Sequence, residues 1–214
     1  MDFIDKELQK YIDEHTATGS DVLAELDRET YANVMLPRML SGHLQGRVLS
    51  MLCYMIKPQN ILEIGTYTGY SALCLAEALP DNGKVITIDI NEELEDMVNG
   101  YIYKSGYKDK IDYRVGDAVE IIPTLDISFD LVFIDADKGN YSNYFELVID
   151  KIPTGAFIIA DNVLWSGKVL GKNRKKLDRD TEAIIAFNRK VHEDARIENV
   201  LFPIRDGLMV LRKR

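Results

Sequence analysis

The sequence predicts an α/β protein built on a seven-stranded sheet, mostly parallel with an antiparallel last strand, and with helices on both faces. From about residue 59 onward, short apolar runs alternate with stretches of helical periodicity, which is typical of parallel sheets. The predicted strands are Ile61–Ile64, Val85–Ile88, Ile111–Val115, Leu131–Ile134, Ala156–Ile159, Ile197–Leu201 and Leu208–Leu211. Residues 202–207, between the last two, leave no room for a crossover helix, so the final strand must enter antiparallel.

The residues before the first predicted strand have a helical pattern. Ser20 and Asp21 are placed to cap a helix that runs to about Asn33. Apolar residues between Leu44 and Ile56 then recur at helical spacing until Pro58 ends that segment. We therefore expect extra amino-terminal helices over residues 1–58 and the sheet over 59–214, within a single domain of 1–214.

Composition and charge narrow the class of protein. Lys and Arg number 26 against 35 Asp and Glu, a net charge of −9, which argues against a protein that coats duplex nucleic acid or an anionic membrane. The chain begins with charged residues and holds no apolar run near the roughly 18 residues of a membrane span. We expect a cytoplasmic protein without a signal peptide, in which Cys53 and Cys74 are reduced core residues.

Three successive predicted strands end in residues suited to a nucleoside. Gly65 and Gly69 follow the first strand with the spacing Gly-x3-Gly, which differs from the dinucleotide-binding pattern, and Glu63 would repel a pyrophosphate but pair with an ammonium group. Asp89, after the second strand, is placed to accept from ribose hydroxyls. A small-residue turn at 115–118 follows the third. Each feature alone is also typical of an ordinary tight connection. Together they favour a nucleoside with a cationic amino-acid-like tail, such as S-adenosylmethionine.

Polar residues also gather after the fourth and fifth predicted strands. Asp135, Asp161 and Asn162 offer only oxygen donors, a set that matches Mg²⁺ or Ca²⁺ rather than zinc. Acidic residues at strand ends can instead cap helices or line a solvated rim. However, crowded carboxylates repel each other unless a cation or proton offsets them. Lys138 is a candidate general base, or else forms a salt bridge to Asp137.

Four segments resemble the cation-dependent class I O-methyltransferases, the family of caffeoyl-CoA O-methyltransferase and catechol O-methyltransferase. They are LEIGTYTGYSALCLAEALP, ITIDIN, FIDADKGNYSNYFELV and IIADNVLWSGKV, and the resemblance runs from about Pro37 to the last residue. It implies a Rossmann-like fold, a metal held by Asp135, Asp161 and Asn162, and Lys138 as the base in contact with the acceptor. The positions that match S-adenosylmethionine-binding residues of the family are Ser41, Glu63, Gly65, Thr66, Ser71, Asp89, Ala118 and Asp137.

The resemblance also implies a lid and an acceptor pocket. Residues 39–46 look like the lid of the family. Trp165 follows the metal residues and is placed to stack on an aromatic acceptor, although a single tryptophan in a loop is as often a packing residue. Ser166 matches a substrate contact of the family by position. Members of the family are commonly homodimers, which is our expectation here.

The implied reaction is methylation of one hydroxyl of a catechol-type acceptor, with Mg²⁺ as the expected cation and Ca²⁺ or Mn²⁺ as alternatives. Some bacterial relatives in the family methylate a hydroxylated uridine in tRNA. The stretch 168–179, with six basic residues and one acidic residue, keeps that alternative open, although it is also typical of a solvated loop. A catalytically silent nucleoside-binding protein is a third interpretation.

Overall fold

A computed structural model describes residues 4–170 and 177–214 and confirms the predicted alternation of strands and helices. The strands are β1 Asn60–Ile64, β2 Lys84–Asp89, β3 Ile111–Val115, β4 Leu131–Ile134, β5 Phe157–Ala160, β6 Ile197–Phe202 and β7 Leu208–Lys213. The helices are α1 Lys6–Glu14, α2 Asp21–Asn33, α3 Gly42–Ile56, α4 Tyr70–Glu77, α5 Glu95–Ser105, α6 Ala118–Thr124, α7 Tyr141–Ile149 and α8 Arg179–Glu193. Short 3-10 helices lie at Pro37–Met39, Glu92–Leu94, Lys138–Asn140 and Trp165–Leu170.

The sheet has seven strands in the order β3-β2-β1-β4-β5-β7-β6. Strands β4 and β5 are parallel neighbours, with Ile134 opposite Ala160, so the residues that follow them leave the sheet at the same edge. Strand β7 runs antiparallel to both β5 and β6. The predicted antiparallel last strand is therefore confirmed.

The chain divides into two compact units, which we name by their main segments. The carboxyl unit contains Leu62–Gly65 and Asp117–Arg214, and the amino unit contains Asp2–Ile61 and Thr66–Gly116. The proposed metal residues and Lys138 all belong to the carboxyl unit. The predicted ribose-binding Asp89 belongs to the amino unit.

The core of the carboxyl unit forms around β4, whose residues are all fully buried, as expected for a strand covered on both faces. Helices α7 and α8 bury apolar faces in this core. The ring of Tyr141 on α7 meets the ring of Phe187 on α8 edge to face, with 5.4 Å between centroids. This packing sets the start of α7 beside the end of β4.

In the amino unit, the sequence signals for helix ends are confirmed. The Ser20 side chain accepts from the main-chain N–H of Leu23 and so caps α2. Helix α3 ends where Lys57 takes a left-handed conformation, φ 57°, directly before Pro58. Cys53 and Cys74 are both buried, as expected, and neither forms a disulfide.

An ion pair joins α3 and α4 within the amino unit. Arg47 donates to both carboxylate oxygens of Glu77, at 3.1 and 2.5 Å, and this bidentate geometry is the stronger form of the pair. The carboxylate holds the guanidinium in its charged form and raises the pKa of Arg47 above its ordinary range. Across residues 4–170 and 177–214, none of the helices is both long and apolar enough to cross a membrane.

Candidate active site

Asp135 and Asp161 stand at the carboxyl ends of β4 and β5 in the carboxyl unit. The main-chain N–H of Asp161 donates to the carbonyl oxygen of Ile134 at 2.9 Å, which carries the β4–β5 ladder one residue beyond β5. Asp161 is only 2% exposed, whereas the side chain of Asp135 is 18% exposed. The two predicted carboxylate ligands thus leave neighbouring strands side by side, as their positions in the sequence indicated.

Asn162 follows with an unusual main-chain conformation. Its φ of 59° lies in the left-handed region, which asparagine tolerates better than most residues. The N–H of Asn162 donates to Oδ1 of Asp161 at 2.6 Å. The three predicted metal ligands, Asp135, Asp161 and Asn162, therefore lie on two adjoining connections.

The chemistry of these donors fits a hard divalent cation. In residues 4–170 and 177–214 there is no cluster of three His, Cys, Asp or Glu side chains placed to hold a metal. The predicted set instead combines the carboxylates of Asp135 and Asp161 with the side-chain amide oxygen of Asn162. Two carboxylates and one amide are ligands that Mg²⁺ and Ca²⁺ accept. The assignment of Asp135, Asp161 and Asn162 as metal ligands stays a prediction.

Lys138 forms an ion pair with Asp135, with 3.2 Å between Nζ and Oδ1. The expected alternative, a salt bridge to Asp137, is wrong. Lys138 opens the 3-10 turn before α7 and turns into the protein, where it is 9% exposed, while Asp137 stays exposed. The carboxylate of Asp137 instead accepts from Tyr144 Oη at 2.6 Å and from Asn140 Nδ2 at 2.9 Å.

Tyr141 is a site residue that the sequence analysis missed. Its side chain is fully buried, its hydroxyl donates to the carbonyl oxygen of Asp161 at 3.0 Å, and Lys138 Nζ lies 2.6 Å from the same hydroxyl. Burial, followed by the nearby carboxylates of Asp135 and Asp161, raises the pKa of Tyr141 well above its ordinary value. The available signal was a tyrosine three residues after Lys138, at the start of an apolar helix.

Trp165 lies close to Lys138, with 5.8 Å between Nζ and the centroid of its ring system. The connection that carries it contains left-handed residues, with φ 48° at Trp165 and 51° at Ser166. Ser166 is exposed, and its N–H donates to Oδ1 of Asp206 at 2.5 Å. Asp206, in the turn between β6 and β7, was not singled out from the sequence because it is distant along the chain.

The end of β1 adds two predicted donor-binding residues to the carboxyl unit. Glu63 is fully buried. Gly65 has a φ of 99°, and a β-carbon there would overlap the carbonyl oxygen of Asp135. The main chain of Asp135 therefore lies directly against Gly65. Ala118 is buried at the start of α6, which Asp117 caps by accepting from Val119 N–H at 2.8 Å.

In the amino unit, main-chain groups orient Asp89. The N–H of Tyr67 donates to Oδ2 at 2.6 Å, and the N–H of Asn91 donates to Oδ1 at 2.9 Å. The buried hydroxyls of Thr66 and Thr87 share a hydrogen bond of 2.6 Å. The acidic residue predicted to bind ribose is thus held in place by the glycine-containing turn after β1.

Two serines predicted to bind the donor are also buried in the amino unit. Ser71 lies in the first turn of α4, which begins after Gly69 with a φ of 91°. Ser41 lies directly before α3. The predicted lid, residues 39–46, includes the end of one 3-10 helix and the first turn of α3. Its role as a lid stays a prediction.

Part of the basic stretch 168–179 lies outside the described residues, namely 171–176. On its described flanks, Lys168 pairs with Asp178 at 3.5 Å between Nζ and Oδ2. Helix α8 begins at Arg179, directly after Asp178. The reason is the cap: Asp178 Oδ1 accepts from the N–H and hydroxyl of Thr181, at 2.8 and 2.7 Å.

Comparisons with known proteins identify the family. Over residues 13–214 the chain matches a family described as O-methyltransferase. Caffeoyl-CoA O-methyltransferase 1 of Eucalyptus globulus is 39% identical over 178 residues, which cover 79% of this chain and 72% of that protein. The chain belongs to the O-methyltransferase family, and the resemblance drawn from its motifs is confirmed.

Solved structures agree with this assignment. An SAH-bound methyltransferase from Podospora anserina has a TM-score of 0.90 at 27% identity, with 99% of this chain and 97% of that chain covered. An O-methyltransferase from Streptomyces achromogenes, involved in tomaymycin synthesis and solved in complex with SAM, has a TM-score of 0.87 at 25% identity, with 97% and 96% covered. The predicted Rossmann-like methyltransferase fold is confirmed.

Proposed function

We propose that this protein transfers a methyl group from S-adenosylmethionine to one hydroxyl of a catechol-type acceptor. The transfer uses a divalent cation, for which Mg²⁺ is the first candidate. The main support is the ion pair between Lys138 Nζ and Asp135 Oδ1, 3.2 Å apart, at the edge of the sheet that also carries Asp161 and Asn162. The relative from Eucalyptus globulus is named for caffeoyl-CoA, whose caffeoyl group carries two adjacent hydroxyls.

The donor-binding role rests on charge and position. Bound S-adenosylmethionine supplies a sulfonium methyl group that a nucleophile can attack. Asp89, with its carboxylate oriented by two main-chain N–H groups, is suited to accept from ribose hydroxyls. Glu63 offers a buried carboxylate for the ammonium group of the donor. Asp137, held by Tyr144 and Asn140, offers a second oriented carboxylate to the donor.

A hydroxyl of an aromatic acceptor needs activation because phenols ionise near a pKa of about 10. A divalent cation held by Asp135, Asp161 and Asn162 would supply positive charge that favours the ionised acceptor. The burial of Asp161 supports this role, because a buried carboxylate exerts a stronger field than an exposed one. Three protein ligands also leave about three positions of an octahedral ion for other oxygens.

Lys138 is the proposed general base. It takes the proton of the acceptor hydroxyl on Nζ and later releases it to water. The acceptor oxygen then forms a bond to the methyl carbon as the bond from sulfur to that carbon breaks, and the electron pair of the broken bond stays on sulfur. The remaining task of the chain is to hold the two reactants about 3 Å apart, and such positioning can contribute roughly 7–11 kcal/mol.

A methyl-transfer assay with and without Mg²⁺ tests this proposal. The acceptors are catechols, caffeoyl-CoA and bulk tRNA, with resorcinols as the matched control because their two hydroxyls are not adjacent. We expect singly methylated catechol-type products in Mg²⁺, little reaction with resorcinols, and loss of turnover in EDTA while the donor still binds. Undiminished turnover in EDTA would refute the metal-dependent mechanism.

The same assay decides between the alternatives. Methyl incorporation into tRNA but not into catechols would favour the hydroxyuridine interpretation, whose main feature, the stretch 168–179, lies partly outside the described residues. Donor binding without transfer to any acceptor would favour a silent nucleoside-binding protein. The homodimer and the cytoplasmic location stay predictions, which analytical ultracentrifugation and cell fractionation would test.

A further inference from the structure

The hydroxyl of Tyr141 connects two parts of the candidate site. Its ring is fixed by complete burial and by the edge-to-face contact with Phe187. From this rigid position, Oη lies 2.6 Å from Nζ of Lys138 and 3.0 Å from the main-chain oxygen of Asp161. Tyr141 therefore contacts both the proposed base and the main chain of a proposed metal ligand.

The direction of these hydrogen bonds follows from the number of hydrogens. A tyrosine hydroxyl has a single hydrogen, and the nearer carbonyl oxygen is that of Asp161, since the Ile134 oxygen lies 3.4 Å away. With that hydrogen donated to Asp161, Oη can only accept from Lys138. In the hydrogen bond between these two side chains, the Lys138 amine is therefore the donor and the Tyr141 oxygen is the acceptor.

The amine of Lys138 uses a second hydrogen on Oδ1 of Asp135, at 3.2 Å. Within the described part of the chain, Nζ has no further hydrogen-bond partner. A lysine amine that acts as a base has two hydrogens and one lone pair beyond its bond to carbon, so the two hydrogens are directed by Tyr141 and Asp135 and the lone pair is the position that remains open. The centroid of the Trp165 ring lies 5.8 Å from Nζ.

We propose that Tyr141 is a positioning residue that directs the open position of the Lys138 amine toward the acceptor hydroxyl. This inference rests on the proposed function, because it takes Lys138 to be the base. The hydroxyl of Tyr141 does not react. It fixes the angle at which the proton leaves the acceptor oxygen for Nζ, and such alignment contributes to rate because small misplacements of a base are costly.

Tyr141→Phe is the appropriate variant because it removes only the hydroxyl and keeps the ring against Phe187. We expect kcat to fall about 10–100-fold, with KM for donor and acceptor changed less than about threefold. Tyr101→Phe is the matched control, since it removes another buried tyrosine hydroxyl, one that bonds Glu29 on α2, and it should leave kcat unchanged. Thermal unfolding of both variants reports any loss of fold.

A double-mutant cycle separates positioning from a merely structural role. In a Lys138→Met background, Tyr141→Phe should cause no further loss of kcat, because the group that it orients is gone. A loss that multiplies with that of Lys138→Met would show that Tyr141 acts elsewhere, and would overturn the inference. An unchanged kcat in Tyr141→Phe alone would overturn it as well.

A second readout needs neither metal, donor nor acceptor. The order of the Lys138 side chain is measured by ¹³C relaxation of the lysine ε-methylene groups, with the Lys138 signal assigned by its loss in Lys138→Met. We expect this order to fall in Tyr141→Phe and to stay the same in Tyr101→Phe. If the natural protein methylates no acceptor, the proposed function fails, and this measurement alone decides: an unchanged Lys138 signal overturns the positioning role.

Discussion

The α-carbon of Gly65 packs directly against the main chain of Asp135, and a β-carbon at position 65 would lie 2.7 Å from the Asp135 carbonyl carbon. The turn that the sequence analysis assigned to the methyl donor and the first proposed metal ligand are therefore in contact within the carboxyl unit. Because the neighbouring atoms belong to the main chain, they cannot rotate away from an added side chain.

Gly65→Ala should destabilise the protein strongly. It adds the cost of overpacking, about 1–3 kcal/mol, to the cost of a left-handed alanine, about 1–2 kcal/mol. The matched control is Gly106→Ala, where φ is 79° and open space surrounds the position, so only the second cost applies. Urea unfolding measures both changes, and equal losses in the two variants would contradict the steric contact at Gly65.

Asp135→Asn and Asp161→Asn test the metal site with side chains of the same shape. We expect each to reduce methyl transfer at least about 100-fold and to weaken Mg²⁺ binding, because a carboxylate charge is removed from the cation. Donor affinity, measured by titration calorimetry, should change less than about threefold. Asp150→Asn, at an exposed position after α7, is the control. Full activity of either site variant would contradict the assignment of that residue as a metal ligand.

Tyr144→Phe should weaken donor binding rather than slow the chemical step. The hydroxyl of Tyr144 donates to the Asp137 carboxylate at 2.6 Å, and burial, followed by this bond, raises the pKa of Tyr144 above its ordinary range. Without it, Asp137 keeps only Asn140 as a fixed donor on its side chain among the described contacts. We expect the donor Kd to rise about 3–10-fold, because the Asp137 carboxylate loses one of the hydrogen bonds that orient it. A fall in kcat with an unchanged Kd would contradict this role.

Asp206→Ala should affect the acceptor more than the donor. Oδ1 of Asp206 accepts from the N–H of Ser166 and so supports the left-handed connection that carries Trp165. We expect the acceptor KM to rise about 5-fold, since the loss of one charge-assisted hydrogen bond allows the connection to move. Asp206→Asn retains an acceptor oxygen and should have a smaller effect. Equal changes in donor and acceptor KM would argue against this assignment.

Asp178 gives α8 a pH-dependent cap. Its hydrogen bonds from Thr181, and then the charge of Lys168, lower the pKa of Asp178 from 3.8 to about 2. The stabilisation is therefore complete above about pH 4 and is lost as the pH falls through about 2. Asp178→Ala should lower Tm at pH 7 by about 2–4 °C, and the difference from the natural protein should shrink in acid. A difference that stays constant down to pH 2 would contradict the assignment, and Asp178→Asn should be milder because asparagine also caps helices.

The order of strands and helices along the chain was predictable because the residues that define each element lie close together in the sequence. Ser20 and Pro58 mark helix ends, and the apolar run at 131–134 is long enough for a buried strand but too short for a helix. The pairing of β4 with β5 also followed, since consecutive strands joined by a helix are commonly neighbours. Asp135 and Asp161 were therefore placed at one edge from the sequence alone.

The partners of side chains within the site were less predictable. A salt bridge to Asp137 was one of two alternatives for Lys138, but the 3-10 turn before α7 directs its side chain to Asp135 instead. The roles of Tyr141 and Asp206 depend on contacts across 20 and 40 residues of sequence, respectively. Periodicity carries no information on such contacts, because it reports only which face of an element is apolar.

Strand β7 lies between β5 and β6, although it follows both along the chain. During synthesis, the edge of β5 that pairs with β7 stays unpaired until a segment about fifty residues later, from Leu208 onward, has been made. Until then, an apolar strand with unpaired main-chain groups is open to association with other chains. The turn that brings Asp206 to Ser166 belongs to the same hairpin. Pairing of the β5 edge and completion of the proposed acceptor pocket therefore both depend on the last residues of the chain to be synthesised.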